Sequence, residues 1–159
     1  MNEIMIAGSY WLHSMATVVW LGGITFILFI VIPSAKQVLG AEAVKLMGVI
    51  SKRFTPIANY SIILLIVTGV VLTAVNKQFS GIGDFSNIWS LGLIVKHVLV
   101  LGMVVVHFYR GLVLVPRIAR AEPTSEKASL QKLSLNLVKV NFCLGLIVLL
   151  FSGIISILK

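Results

Sequence analysis

Four apolar segments, each long enough to cross a lipid bilayer, occupy most of this 159-residue chain. A transmembrane helix needs about 20 predominantly apolar residues, because a helix satisfies all its backbone hydrogen-bonding groups within hydrocarbon. The segments are approximately residues 4–33, 54–75, 88–116 and 135–158. We therefore predict an all-α membrane protein in which residues 1–159 form a single four-helix transmembrane bundle.

The composition and the cysteine count agree with this class. Hydrophobic residues make up 58% of the chain and charged residues 11%, whereas about 25% charged is usual in soluble domains. A lone Cys143 excludes a disulfide framework, and no CxxCH motif is present for covalent haem attachment. The first span follows Glu3 rather than a basic n-region, so we expect it to be retained.

The net charge of +8 is concentrated in two connections between the spans. Residues 34–53 and residues 117–134 are rich in Lys and Arg, whereas the N-terminal residues before the first span carry neither. Such basic loops are typically cytoplasmic, so we predict that both termini are extracytoplasmic. This topology explains the charge without a nucleic-acid partner and indicates a prokaryotic cytoplasmic membrane, with the bilayer as the main partner.

The connections also carry helix-start signals. Thr55 and Pro56 are typical of an N-cap and a first helical position, so we expect the second span to begin there, after a short surface helix over residues 40–53. The sequence Pro123-Thr124-Ser125-Glu126 predicts that the fourth helix begins before it enters the membrane. We find no sequence repeat between the two halves.

The third span places basic side chains inside an apolar segment, namely Lys96, His97, His107 and Arg110. A cation near the membrane centre costs about 2.5–3.5 kcal/mol on insertion scales, so it usually has a partner or a function. All acidic residues lie at a terminus or in a predicted connection. We infer that water, backbone carbonyls or an acidic ligand satisfies Lys96.

Two histidines have similar predicted depths in different spans. With a rise of 1.5 Å per residue, His13 and His97 both lie about 8 Å to the outer side of their span centres. Imidazoles at one level can bind the iron of haem b from opposite faces, and Lys96 would neutralise a propionate. We predict haem b, with His13 as one axial ligand, His97 as the favoured second ligand and His107 as the reserve.

Other residues complete the predicted pocket. A Trp seven residues after His13 shares its helix face, because seven residues make about two turns. The pair Gly22-Gly23 admits either a flat ligand or a second helix, and simple helix packing explains it equally well. The predicted pocket residues are Trp20, Gly22, Gly23, Lys96, Met103 and Arg110. An inner polar cluster consists of Asn59, Tyr60, His107, Arg110 and Asn141.

Copper is the alternative to haem. Thioether and thiol sulfur are soft donors suited to Cu(I), and the chain has five Met residues and one Cys. These residues are scattered, and a Met inside an apolar helix is more often core filler. A third hypothesis is a structural bundle whose histidines only pack. No phosphate-binding loop and no GxSxG motif is present, so nothing indicates phosphate or hydrolytic chemistry.

Short patterns in three spans carry a resemblance to known membrane proteins. They are LHSMATVVWLGG, the pattern from Arg53-Phe54 to Thr68-Gly69-Val70, and the Lys96 span that ends in Pro116. Together they resemble the CopD-type copper-resistance membrane domain. The chain is also similar to the related HemJ-type protoporphyrinogen oxidases, which carry a His seven residues before a Trp and a Lys eleven residues before a His. The matching residues are His13, Trp20, Lys96 and His107.

The resemblance implies one of two activities. The CopD-type branch implies copper handling in the inner membrane. The HemJ-type branch implies haem b and an oxidoreductase that converts protoporphyrinogen IX to protoporphyrin IX, with essential residues at the positions of His13 and Lys96. The chain lacks the basic residue that HemJ-type proteins carry after the proline of helix one, because Ser34 follows Pro33.

From the sequence we expect a haem b redox protein that carries out electron transfer or porphyrinogen oxidation. A porphyrin and a membrane quinone are its expected small-molecule partners. Four helices make a thin wall around a macrocycle, which favours a homodimer. CopD-like copper transport is the alternative function.

Overall fold

Helices make up nearly all of the described part of the chain. The computed structural model describes residues 2–76, 88–122 and 125–157, and these contain no strand. Within them, three helical stretches are long and apolar enough to cross a membrane, and they are Glu3–Ala74, Ile88–Arg120 and Ser125–Ile157. The all-helical class is confirmed, and the apolar helices fit an integral membrane protein. The loop 77–87, the Pro123-Thr124 start signal and Leu158 lie outside the described residues.

The chain divides into two units, Met1–Phe79 and Ser80–Lys159. Each unit has its own packed helices, and the single-domain organisation expected from the sequence stays a prediction.

The first unit is a helical hairpin. Its helices are α1 (Glu3–Phe26), α2 (Ile32–Leu39) and α3 (Ala43–Ala74). A π-helical segment, Ile27–Val31, joins α1 to α2 without a break. The chain turns at Gly40, whose φ of 51° lies in the left-handed region that glycine tolerates at little cost. A short 3₁₀ turn, Gly40–Glu42, then leads into α3.

Helices α1 and α3 of this unit pack antiparallel. His13 in the first half of α1 contacts Thr68 near the end of α3. Gly23 near the end of α1 lies against the ring of Phe54 in the first half of α3. The buried residues on the two helices are Ala16, Trp20, Leu21, Ile24, Ala43, Ala58, Ser61, Ile62 and Thr68.

The second unit is also a helical hairpin. Its helices are α4 (Ile88–Tyr109), α5 (Val115–Arg120) and α6 (Ser125–Ile157). A π-helical segment, Arg110–Leu114, joins α4 to α5. A β-carbon added at Gly92 would lie 3.0 Å from Ile155 Cγ1, so the start of α4 contacts the end of α6. Because α6 already begins at Ser125, the prediction that the fourth helix starts before its membrane segment is confirmed.

The two units repeat one architecture. Each has a long helix, a five-residue π segment, a short helix with proline at its second position, and a long returning helix. The π segments begin at Ile27 and Arg110, and the prolines are Pro33 and Pro116, so each pair is 83 residues apart. The repeat is one of backbone structure, because helical hairpins require apolar periodicity rather than identical residues.

The π segments explain how the helix continues through the prolines at the ends of the first and third predicted spans. A proline within a helix deprives the carbonyl four residues earlier of its hydrogen-bond donor. In a π segment, a carbonyl accepts a hydrogen bond from the N–H five residues later instead of four residues later. Ile32 N–H donates to Ile27 O in this way, and Val115 N–H donates to Arg110 O. Helix therefore continues to Leu39 and Arg120, beyond residues 33 and 116, and the predicted span ends at those residues stay a prediction.

The predicted helix start at Thr55-Pro56 is wrong, whereas the start of the second membrane span stays a prediction. Helix α3 is continuous from Ala43, so Pro56 lies inside it and the predicted short surface helix is its first part. The Thr55 hydroxyl donates to Ser51 O at 2.7 Å instead of capping a helix. Pro56 removes one backbone hydrogen bond from a helix of 32 residues, and packing against α1 outweighs that loss.

The adjacent glycines of α1 give a matched test of hairpin packing. A β-carbon at Gly23 would overlap the Phe54 ring, 2.6 Å from Cζ, whereas one at Gly22 meets nothing within 4 Å. We expect Gly23→Ala to destabilise the protein by about 1–2 kcal/mol through overpacking. Gly22→Ala should be neutral or stabilising, because alanine is the better helix former. Thermal unfolding in detergent measures both variants, and equal effects would contradict this account of the packing.

Candidate functional site

His13 is held in the first unit by a chain of hydrogen bonds to α3. Its Nδ1 lies 2.8 Å from Thr68 Oγ1, and the Thr68 hydroxyl donates to Leu64 O at 2.6 Å. Because that hydroxyl has one proton and gives it to the carbonyl, the Nδ1–H of His13 must donate to the hydroxyl oxygen. Neutral His13 therefore carries its proton on Nδ1 and a lone pair on Nε2, the arrangement of a metal-binding imidazole.

His97 in the second unit has the same tautomer for a different reason. Its Nδ1 lies 2.7 Å from Leu93 O, one turn earlier on α4. A carbonyl oxygen can only accept, so the neutral ring is protonated on Nδ1 and has its lone pair on Nε2. The side chain is exposed on the surface of its unit. This bond suits a metal ligand, and it equally satisfies a histidine that faces lipid.

Lys96 is half-buried beside His97. An ion pair joins Lys45 to Glu42 at 2.7 Å, and none between Lys96 and a carboxylate is found in the described part of the chain. The sequence predicts water, carbonyl oxygen or an external anion as the partner of the ammonium group. The identity of that partner stays a prediction.

Met103 and His107 lie on the buried face of α4 that packs against α6. Their exposed fractions are 3% and 6%. The His107 ring makes an edge-to-face contact with Phe108, with ring centroids 5.4 Å apart. Arg110 follows as the half-buried first residue of the π segment. The structure thus places Met103 and His107 on one packed surface.

Asn141 belongs to the predicted inner polar cluster, and the structure adds that its amide oxygen is buried without a partner in the described part of the chain. It is 4% exposed, and its Oδ1 has no hydrogen-bond partner among the residues described. Counting equally from the contact between Gly92 and Ile155 along the antiparallel helices brings Val140 level with His107, so Asn141 lies within one residue of that level. A buried polar atom without a partner costs about 1–3 kcal/mol, which is a signal of strain or of a missing ligand.

The predicted inner polar cluster is divided between the units. Asn59 and Tyr60 belong to the first unit, where Tyr60 is 74% exposed and faces away from the hairpin core. His107 and Asn141 are buried together in the second unit. Of the remaining predicted pocket residues, Trp20 is buried on the packed face of α1, and Gly23 lies against Phe54.

The haem fit can be tested within the second unit. His97 and His107 are ten residues apart on one helix, which is about 15 Å along its axis. One is exposed and the other buried, so these two do not bind opposite faces of a single iron. His13 belongs to the first unit, and its pairing with another histidine stays a prediction. Among the described residues, no group of three or more His, Cys, Asp and Glu side chains is placed to hold a metal ion.

Comparison with known families supports one of the two resemblances. A family model described as Copper resistance protein D matches residues 48–155, which is more than half of the chain. The chain belongs to the CopD family. No curated protein and no solved structure matches it. The CopD resemblance is therefore confirmed, whereas the HemJ resemblance stays a prediction. The matched region contains Thr68, Met103, His107 and Asn141, and His13 lies before it.

The hydrogen-bond chain on His13 predicts a specific effect of Thr68. Thr68→Val keeps the shape of the side chain but removes the acceptor for the Nδ1–H, whereas Thr68→Ser keeps the hydroxyl. We expect Thr68→Val to redistribute the His13 proton between Nδ1 and Nε2 and to lower stability by about 1 kcal/mol. Imidazole ¹⁵N NMR of the detergent-solubilised protein measures the tautomer. An unchanged tautomer in Thr68→Val would contradict the role assigned to this hydroxyl.

Proposed function

We propose that this CopD-family protein handles copper within the membrane, with the metal ion as its substrate. The observation that carries the proposal is the family match over residues 48–155. The apolar helices are long enough to cross a membrane. Helix α4 also buries a thioether and an imidazole, which are donors that Cu(I) accepts. Copper transport or copper delivery therefore replaces haem-based redox chemistry as the leading function.

The metal needs donors inside the hydrocarbon region, because a bare cation there is strongly disfavoured. Met103 and His107 provide a thioether and an imidazole in the core of the second unit. In the first unit, the His13–Thr68 bond leaves an imidazole lone pair on Nε2. Each unit thus contributes a donor of a type that Cu(I) accepts.

The proposed topology has four crossings with both termini outside. Helix α1 has 24 residues and α4 has 22, so each is about 33–36 Å long and can span a hydrocarbon core of about 30 Å. Both hairpin turns are flanked by basic residues, which favours a cytoplasmic position for each turn. These residues are Lys36, Lys45, Lys52, Arg53, Arg117, Arg120, Lys127 and Lys132.

Cellular copper measurements test the function directly. We expect deletion and overexpression of the protein to change total cell copper in opposite directions while zinc content stays constant. Elemental analysis by mass spectrometry of washed cells measures both metals. Copper content that responds to neither deletion nor overexpression would contradict the proposal.

Single-cysteine labelling tests the topology. In a Cys143→Ser background, we expect Asn2→Cys to react with a membrane-impermeant maleimide on intact cells. Ser34→Cys and Ser125→Cys, beside the two turns, should react only after the cells are opened. Reaction of either turn position in intact cells would overturn the four-crossing arrangement.

Haem b is the second candidate, and one observation favours it. His13 and His97 both carry their proton on Nδ1, the state in which an axial histidine presents Nε2 to iron. A porphyrin, a quinone and a shielding homodimer belong to this candidate. An absorption spectrum of the purified protein distinguishes it, because bound haem gives a Soret band that shifts on reduction.

A further inference from the structure

The structural repeat allows a residue-by-residue comparison of the two hairpin cores. Each unit buries the same four positions, two on its first helix and two on its long returning helix. In the first unit these residues are Trp20, Ile24, Ala58 and Ile62. In the second unit, 83 residues further along, they are Met103, His107, Asn141 and Gly145.

The second unit carries donor chemistry where the first unit mainly packs. Ile24 is replaced by an imidazole, Trp20 by a thioether, and Ala58 by an amide. A buried Met is usually core filler, and a buried His is usually satisfied by neighbouring polar groups. The first unit shows, however, that the same backbone closes around aliphatic residues at the positions of His107 and Asn141. Packing alone therefore does not account for the polar residues in the second unit.

The spacing of Met103 and His107 suits one small ion. Residues at positions i and i+4 of a helix have β-carbons about 5–6 Å apart on the same face, so a thioether and an imidazole there can reach a common atom. Soft sulfur combined with imidazole nitrogen selects Cu(I) among the common metal ions. On the facing helix, the buried Gly145 lies within one residue of the level of Met103.

Asn141 supplies a second and independent observation. Its Oδ1 is buried, lies within one residue of the level of His107, and has no hydrogen-bond partner within the described residues. Metal-binding histidines characteristically donate their other ring N–H to an oxygen acceptor, which sets the orientation of the ring. The unpaired amide oxygen has the chemistry and the level in the helix pair that this acceptor requires.

We propose that Met103 and His107 bind Cu(I) in the core between α4 and α6, and that Asn141 is a positioning residue that accepts the N–H of the metal-bound His107. This site rests on the proposed copper function and adds the oxidation state and the ligands. The first hairpin has no equivalent site, because its corresponding residues are Trp20, Ile24 and Ala58.

Binding of Cu(I) to the detergent-purified full chain tests the site. Affinity is measured under reducing conditions by competition with a chromophoric Cu(I) chelator, and the ligands are identified by X-ray absorption. His107→Ile and Asn141→Ala introduce the residues found at the equivalent positions of the first unit, Ile24 and Ala58. Both substituted side chains therefore already pack within the same backbone arrangement. Met103→Leu removes the sulfur at nearly constant volume. Met15→Leu, at an exposed methionine of α1, is the matched control.

We expect Met103→Leu to lose the copper–sulfur scattering path while Met15→Leu keeps it. His107→Ile should lose the imidazole path, and Asn141→Ala should weaken affinity by about ten-fold, as for other groups that orient a ligand. A wild-type chain that binds Cu(I) with an unchanged sulfur path in Met103→Leu overturns this site and leaves the copper function standing. A chain that binds no Cu(I), in cells whose copper content is also unaffected, overturns both.

Discussion

Hydrocarbon offers no hydrogen-bonding partner to the polypeptide backbone, and this constraint accounts for most of the structure. Each apolar segment must remain helical through its full depth, even where the sequence contains a proline. At Pro33 and Pro116 the chain meets this demand by widening one turn into a π segment, so the helix continues into the basic turn region. Both units use this arrangement, so the equivalent π segments and prolines of the two hairpins are separated by the same 83 residues.

Polar side chains in these helices face the same lack of hydrogen-bonding partners in hydrocarbon. Several hydroxyls in these helices donate to a carbonyl one turn earlier, which satisfies them without a partner helix. Examples are Thr17 to His13, Thr25 to Leu21, Ser61 to Ile57 and Ser152 to Val148. Some polar groups depart from this local solution, among them two that matter for the candidate sites. The His13 ring is held by Thr68 from the other helix of its hairpin, and Asn141 keeps a buried oxygen without a partner among the described residues.

The apolar segments and the buried face of α4 could be predicted from sequence, because both depend on hydrophobicity and helical period. Met103 and His107 are placed together by their spacing alone. The helix ends could not be predicted, because Pro33, Pro56 and Pro116 normally indicate a boundary and are here overridden by packing and by π-helical pairing. The repeat was hidden for a related reason, since matching positions carry residues as different as Trp20 and Met103. The sequence placed Asn141 in one polar cluster with His107, but the buried state of its amide oxygen, unpartnered among the described residues, depends on packing between the helices and could not be predicted.

The two hairpins share a backbone arrangement but differ in the polarity of their buried residues, and this difference bears on function. If both hairpins served only to fill the membrane, selection for packing would favour aliphatic residues at equivalent buried positions in each. The first hairpin meets that expectation at Ile24, Ala58 and Ile62, whereas the second accepts the desolvation of an imidazole and an amide. A polar substitution of this kind persists when it contributes an interaction that packing does not. The proposed Cu(I) site at Met103 and His107 would supply such an interaction in a place where soft donors are available.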